Sequence, residues 1–191
     1  DRYITCFGRV PYRHLQALAR RDLKLIFANT VPDGLQSAIA SKRRKRALRP
    51  SELLRLRFDC DRSSGTVAVY DEATDLIVFP TTYTTHETHR PVLHETGHAL
   101  TMHAVSPRDS LLRDLPPELD AYVRAAIPDT ASPEEKTRVG TIEVLAEGYV
   151  YYVTHRRHLL PKALCAELEF LLQVSTDGSA LRYDLDSEEH S

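Results

Sequence analysis

The residues best suited to chemistry lie in the stretch THETHRPVLHETGHAL, residues 85–100, in which the tripeptide His-Glu-Thr occurs twice. In the downstream copy, His94 and His98 are four residues apart, and Glu95 follows the first histidine. On a helix this spacing places both imidazoles on one face, where they can reach one zinc ion. Zinc lowers the pKa of a bound water to roughly 7, and a neighbouring glutamate can take the proton. This copy therefore predicts a hydrolytic zinc site in which His94 and His98 are ligands and Glu95 is the general base.

The upstream copy, residues 86–89, spaces its histidines three apart and is followed by Arg90 and Pro91. Proline disfavours helical geometry in the residue before it. We therefore expect the upstream copy to lie in a loop that approaches the active-site helix. Its polar side chains would border the cleft or belong to an ordinary loop, and they are not expected to bind a second metal.

The third ligand decides the class of zinc site. Metzincins have a third histidine six residues after the second, but Ala104 stands there and His103 is one residue early. Aspzincins end the motif Gly-Thr-x-x-Asp on a ligand, and the corresponding residue here is Val144. The remaining candidates are Glu143 and Glu147, which share a helix face in an otherwise apolar stretch. A zinc ion bound by Glu143, with Glu147 accepting the N–H of a ligand histidine, would satisfy both carboxylates.

Apolar spacing, together with start and stop signals, predicts the helices of the chain. They are expected over residues 11–22, 35–48, 91–104, 133–153 and 159–174. Ser132 and Pro133, followed by two glutamates, form a strong start signal for the fourth of them.

Apolar and alternating runs predict strands in the first half of the chain. They are a buried strand at 23–29, a half-buried strand at 54–58, and a hairpin of 65–70 with 76–79. We find no repeat and no domain boundary, so residues 1–191 are expected to form a single α+β domain with its core over 10–175. The sheet should be small, early and mixed, the C-terminal half mostly helical, and the acidic tail 184–191 flexible.

The composition narrows the functional classes. A chain of 191 residues with 42% hydrophobic and 27% charged residues is typical of a globular domain. A net charge of −2 argues against general nucleic-acid binding, and no apolar run approaches the ~20 residues needed to span a membrane. Cys6, Cys60 and Cys165 form neither a disulfide framework nor a zinc knuckle. The basic run at 42–46 is typical of a solvated helix face, with acidic substrate segments or nucleic acid as the functional alternative.

Together, the motifs VLHETGHAL and EVLAEGYVYYV resemble those of the gluzincin zinc metallopeptidases. Within that clan the chain is most similar to the lethal-factor-like group, which includes the anthrax lethal factor catalytic domain and the Pro-Pro endopeptidases. The resemblance implies a zincin-like fold, one zinc ion, and endopeptidase activity. It implies Glu143 as the third ligand and Glu147 as the partner of a ligand histidine. It also implies a secreted or toxin-delivered protein, whereas the residues themselves leave the localisation open.

The chain departs from this group at one position. Members of the group have a tyrosine about two turns before the ligand glutamate, where it stabilises the oxyanion, and Lys136 stands there in this chain. The candidates for the missing donor are Tyr149, Tyr122 and Tyr83, or else Lys136, Arg138 or a histidine.

The resemblance further implies a peptide or protein substrate that binds in extended form along an edge strand before the active-site helix. That strand is predicted to consist of Leu76, Ile77, Val78 and Phe79. We expect a monomer with no membrane or nucleic-acid partner. Two alternatives remain: a degenerate zincin-like module that binds without hydrolysis, and a regulatory peptidase specific for one protein.

Overall fold

A computed structural model of the chain describes residues 2–34, 36–37, 68–72, 75–81 and 89–177. The helices of these residues are α1 (Arg2–Phe7), α2 (Tyr12–Arg20), α3 (His89–Thr101), α4 (Pro117–Ala126), α5 (Pro133–Val153) and α6 (Lys162–Asp177). Residues 31–34 and 36–37 are also helical. Short 3-10 turns lie at Met102–Ala104, Asp109–Leu112 and Arg157–Leu159. The strands are β1 (Lys24–Ala28), β2 (Val69–Asp71) and β3 (Leu76–Pro80). The expected mixed α+β class with a mostly helical C-terminal half is confirmed.

The sheet is mixed, as expected, and has the strand order β1–β3–β2. β3 pairs in parallel with β1 and antiparallel with β2, so the predicted hairpin is confirmed where the structure describes it. Because β3 has a hydrogen-bonded neighbour on each side, its backbone cannot pair with a substrate. The predicted edge strand is therefore wrong: Leu76, Ile77, Val78 and Phe79 are buried in the central strand. β2 lies at the edge of the sheet within the described residues.

β1 is not the buried strand that its apolar run predicts. Leu25 is 41% exposed and Phe27 is 47% exposed. Phe27 stacks on Phe79 of the neighbouring strand, with ring centroids 5.7 Å apart. An apolar run indicates a strand but does not distinguish a central strand from an outer one. The predicted strand at 54–58, most of the predicted helix at 35–48, and the tail 184–191 lie outside the described residues.

α3 and α5 cross in close contact at Gly97. A Cβ atom at this position would lie 2.8 Å from the carbonyl oxygen of Ala146 and 2.9 Å from its Cα. Only glycine permits this approach without a shift of backbone. The crossing brings the face of α3 that carries the two histidines against the face of α5 that carries Glu143 and Glu147.

The predicted start is correct for α5 but not for α3. α5 starts as predicted, since the Ser132 hydroxyl accepts a hydrogen bond from the N–H of Glu135 at 3.2 Å. α3 starts earlier than predicted, because His89 and Arg90 are already helical. The expectation that Pro91 would keep Arg90 out of the helix is wrong, since a proline in the first turn has no intrahelical N–H bond to lose.

The main core lies where α3, α5 and α6 pack together, and α3 also contacts β2 of the sheet. Phe79, Leu100, Leu145 and Leu168 are each at most 2% exposed, and all four belong to one apolar cluster. Over the described ranges, no helix is long and apolar enough to span a bilayer.

Candidate metal centre

The three predicted ligands converge at the crossing of α3 and α5. The potential ligand atoms of His94, His98 and Glu143 all lie within 4.8 Å of one another. The two carboxylate oxygens of Glu143 lie 3.3 Å from Nε2 of His94 and 3.6 Å from Nε2 of His98. Two ligand atoms about 2.1 Å from a tetrahedral zinc are about 3.4 Å apart. The donor set and its spacing therefore fit one zinc-sized cation.

Glu147 lies behind the ligands, where it contacts one of them. Its Oε2 lies 3.2 Å from Nδ1 of His94, and its side chain is only 1% exposed. Its Oε1 is 2.6 Å from Nη2 of Arg90, one turn before His94 on the same helix. A carboxylate on Nδ1 favours the tautomer that leaves Nε2 free to bind a metal. The predicted role of Glu147 agrees with this position.

His98 lacks a comparable partner. Its Nδ1 is buried and has no hydrogen-bond partner among the described residues. Its ring packs edge-on against that of His94, with centroids 4.6 Å apart. The two candidate ligand histidines are therefore held differently: His94 by a carboxylate and His98 by packing.

The charges at the centre favour a bound cation. Burial tends to lower the pKa of His94, but hydrogen bonds to Glu143 and Glu147 outweigh it and raise the pKa to about 10. Burial and the neighbouring His94 lower the pKa of His98 to about 3, so this imidazole is neutral. Burial tends to raise the pKa of Glu143, but the two histidines hold it below its ordinary value. His94 therefore carries a proton at neutral pH, and a cation bound at this point would displace that proton and take its place beside the Glu143 carboxylate.

Glu95 lies beside this ligand set and is only 8% exposed. Its Oε2 accepts a hydrogen bond from the backbone N–H of Tyr70 in β2 at 2.7 Å. Burial raises the pKa of Glu95 to about 7; His94 and the Tyr70 N–H act in the opposite direction, and Glu143 adds to the rise. A carboxyl group with this pKa can both accept and return a proton near neutral pH.

A polar network behind the centre holds β2 in place. The Tyr70 hydroxyl lies 2.7 Å from Nε2 of His103 and donates to Asp75 at 3.0 Å. Arg21 bonds the same hydroxyl and the same carboxylate, and it also donates to the carbonyl of Ala99 in α3. The strand that orients Glu95 is thus tied to the helix that carries it. His103, which is misplaced for a metzincin ligand, belongs to this network.

Of the candidate oxyanion donors, the structure brings one tyrosine to the metal centre. The Tyr122 hydroxyl lies 3.4 Å from Nε2 of His94. Tyr149 is fully buried and its hydroxyl lies 3.0 Å from Nδ1 of His14, so it faces the core. Tyr83 lies outside the described residues. Lys136 is exposed, and Arg138 borders a separate cavity of about 180 Å³.

The centre opens into a cavity of about 540 Å³. The three candidate metal ligands, Glu95 and Glu147 line it together with residues that the sequence had not singled out for the site: Ala68, Val69, Tyr70, Arg90, Pro91, Met102 and Ile142. Arg90 could have been found from its spacing, because it is four residues before His94 and a helix places the two on one face. Pro91 led us instead to expect Arg90 in a loop, since proline disfavours helical geometry in the residue before it. The signal for α4, which carries Tyr122, was Pro117 followed by acidic residues in a first turn.

No protein-family model, curated protein or solved structure matches the chain. The functional proposal therefore depends on the site itself.

Proposed function

We propose that this protein is a zinc-dependent endopeptidase of the gluzincin type. The observation that carries the proposal is the convergence of His94, His98 and Glu143 on one point, with Glu95 beside it in an open cavity. A purely structural zinc site has four protein ligands and no use for an adjacent proton acceptor. Three ligands, an acceptor and a cavity are the parts that hydrolysis requires.

A zinc ion held by His94, His98 and Glu143 would supply Lewis acidity, which polarises the scissile carbonyl and acidifies a water molecule. Glu95 takes the proton of that water as it attacks the carbonyl carbon, and then returns the proton to the leaving amine. The Tyr70 N–H orients the Glu95 carboxylate for both transfers. Glu147 keeps the proton of His94 on Nδ1 throughout.

Tyr122 is the donor that we assign to the oxyanion. Its hydroxyl is beside the metal-facing nitrogen of His94, and burial and nearby carboxylates raise its pKa, so it remains protonated at neutral pH. A protonated phenol at this place can donate to the carbonyl oxygen as negative charge develops there. Tyr122 belongs to α4 rather than α5. It would therefore stabilise the oxyanion from a different helix than the tyrosine of the lethal-factor-like group does.

The substrate would lie along β2, in place of the strand that the sequence predicted. Val69 and Tyr70 line the cavity, and the Tyr70 N–H points to Glu95 rather than to β3. Because N–H and C=O of one residue face the same side in an antiparallel strand, the Tyr70 carbonyl also faces away from β3. An extended peptide could donate a hydrogen bond to this carbonyl, while the Tyr70 N–H stays on Glu95.

The test is cleavage of a diverse peptide library, read by mass spectrometry, together with the zinc content of the same samples. We expect one zinc per chain and cleavage by the native protein, and loss of cleavage with retained zinc in Glu95→Gln. Glu118→Gln, at a 75% exposed side chain, is the matched control and should cleave normally. Zinc without cleavage would instead favour the non-hydrolytic module, and absence of zinc would refute both.

A further inference from the structure

We propose that Arg90 binds a carboxylate group of the peptide substrate next to the scissile bond. The inference rests on the proposed peptidase function and concerns which peptides are cut. Among the described residues that line the 540 Å³ cavity, Arg90 is the one lysine or arginine.

The guanidinium of Arg90 is held from two sides. Nη2 lies 2.6 Å from Oε1 of Glu147, and Cζ lies 5.3 Å from the centre of the Tyr122 ring. A side chain fixed by an ion pair and an aromatic ring loses little further entropy when it binds a ligand. Arg90 is therefore organised before any substrate arrives.

These contacts leave most of its donors unused. A guanidinium has five N–H groups, and the ion pair to Glu147 is formed by one nitrogen. Glu147 is 1% exposed and lies beneath, whereas the Arg90 side chain is 45% exposed at the cavity wall. The other carboxylates of the cavity have their own partners: Glu95 binds the Tyr70 N–H, and Glu143 lies against the ligand histidines. A planar donor fork of this kind fits a carboxylate better than any uncharged group.

The position of Arg90 fits a group close to the cut. Arg90 is four residues before His94, about 6 Å along the helix axis on the same face. Tyr122 spans the gap, with its hydroxyl near His94 and its ring beside Arg90. An extended peptide advances about 3.3 Å per residue. When its carbonyl oxygen is at Tyr122, a group one or two residues away reaches Arg90.

The carboxylate could belong to an Asp or Glu side chain or to the C-terminus of the peptide. The experiment separates these sources with four peptide pools that are otherwise identical. One position holds Glu or Gln, and each of these two pools is made as a free acid and as a C-terminal amide. The native protein, Arg90→Gln and Arg90→Lys are compared by kcat and KM. Arg90→Lys keeps the positive charge but loses the planar set of N–H donors.

We expect the native enzyme to prefer one carboxylate-bearing pool by about 10- to 100-fold in kcat/KM, the range for a charge-assisted hydrogen bond. In Arg90→Gln the preference should disappear through a higher KM for that pool alone, and Arg90→Lys should keep part of it. A role limited to holding Glu147 predicts a different result, because kcat would fall equally for all pools. An equal fall, or no preference in the native enzyme, would overturn the proposal.

A binding measurement separates this proposal from the proposed function. Zinc-loaded Glu95→Gln and the double variant Glu95→Gln/Arg90→Gln are titrated with fluorescent Glu and Gln pools, in acid and amide form, and read by anisotropy. Tighter binding of a carboxylate pool by about 10-fold or more, lost in the double variant, would support Arg90 even if the native protein cuts nothing. Equal affinities within twofold would refute the Arg90 site even if the native protein is a peptidase.

Discussion

At the scale of single residues, the hydroxyl of Tyr122 is the group whose removal tests the chemistry most directly. It lies 3.4 Å from Nε2 of His94, and we assign it to the oxyanion. Tyr122→Phe removes one oxygen and keeps the ring that packs beside Arg90. We expect kcat to fall by about 10²- to 10³-fold, as for other single oxyanion donors, with zinc content unchanged.

The matched control for this substitution is Tyr149→Phe. The Tyr149 hydroxyl bonds His14 in the core, and the residue does not line the described part of the cavity. We expect its kcat to stay within about twofold of the native value, while the free energy of unfolding falls by about 1–3 kcal/mol because His14 loses its partner. Equal losses of kcat in the two variants would show that neither hydroxyl acts on the substrate.

His14 gives the protein a pH-dependent stability that is separate from the metal centre. It is fully buried, and its Nε2 has no partner among the described residues. Burial, aided by Arg13, lowers its pKa from 6.5 to about 4. The unfolded chain therefore takes up the proton first, and stability that is complete above pH 6.5 is lost as the pH falls towards 4.

The shift corresponds to about 3 kcal/mol of unfolding free energy between pH 7 and pH 4. We expect His14→Gln, which cannot titrate, to lose about 3 kcal/mol less than the native protein over this interval. The measurement is urea unfolding at a series of pH values. If the free energy of unfolding depends on pH in the same way for both proteins, the pKa of His14 does not change on folding.

At the scale of elements, the crossing of α3 and α5 determines whether the ligands meet. A Cβ at Gly97 would lie 2.8 Å from a backbone oxygen of Ala146, which cannot move without its helix. Gly97→Ala should therefore cost about 1–3 kcal/mol of stability and weaken zinc binding, because it displaces Glu143 from the histidines. Differential scanning calorimetry and a competitive zinc titration measure the two effects.

Gly148→Ala, on α5, is the control for the added methyl group. Its Cβ would lie 3.0 Å from Cδ1 of Leu168, the end of a side chain that can rotate. The gain in helix propensity, about 1 kcal/mol, offsets that crowding. We expect near-native stability and zinc affinity. An equal loss of affinity in both variants would mean that the crossing is not what brings the ligands together.

The elements also show which parts of the fold the sequence could predict. Ser132, Pro133 and the two glutamates that follow are a local signal for the start of α5, and the structure confirms that start. The place of β3 in the sheet is not local: an apolar run has the same sequence whether it is central or at an edge. α4 was not predicted, although Pro117 and the acidic residues that follow it are a local start signal of the same kind.

The same distinction between local and non-local signals applies to the metal centre. His94 and His98 share one helix, so their spacing was sufficient to predict the pair. Glu143 was predictable because two glutamates in an apolar stretch require a partner. Arg90 and Tyr122 were harder, since their closeness to His94 depends on where α3 begins and on how α4 packs. Neither property can be inferred from the residues next to Arg90 or Tyr122 in the sequence.

At the scale of the whole molecule, zinc should connect the two halves of the fold. Its ligands come from α3 and α5, and a preformed site of this kind does not exist in the unfolded chain. Binding then stabilises the folded state by RT ln(1 + [Zn]/Kd), about 4 kcal/mol at a thousandfold excess over Kd. For a chain of 191 residues this corresponds to a rise in Tm of about 8–16 °C.

Thermal unfolding with zinc and with a chelator checks this expectation, and Glu143→Gln separates ligation from general effects of the metal. The variant keeps the size of the side chain but not the charge of the third ligand, so its zinc-dependent rise in Tm should be smaller by several degrees. Glu95→Gln, which changes the proton acceptor and no ligand, should keep the full rise. If Glu143→Gln responds to zinc as the native protein does, Glu143 is not a ligand, and the centre is not of the gluzincin type.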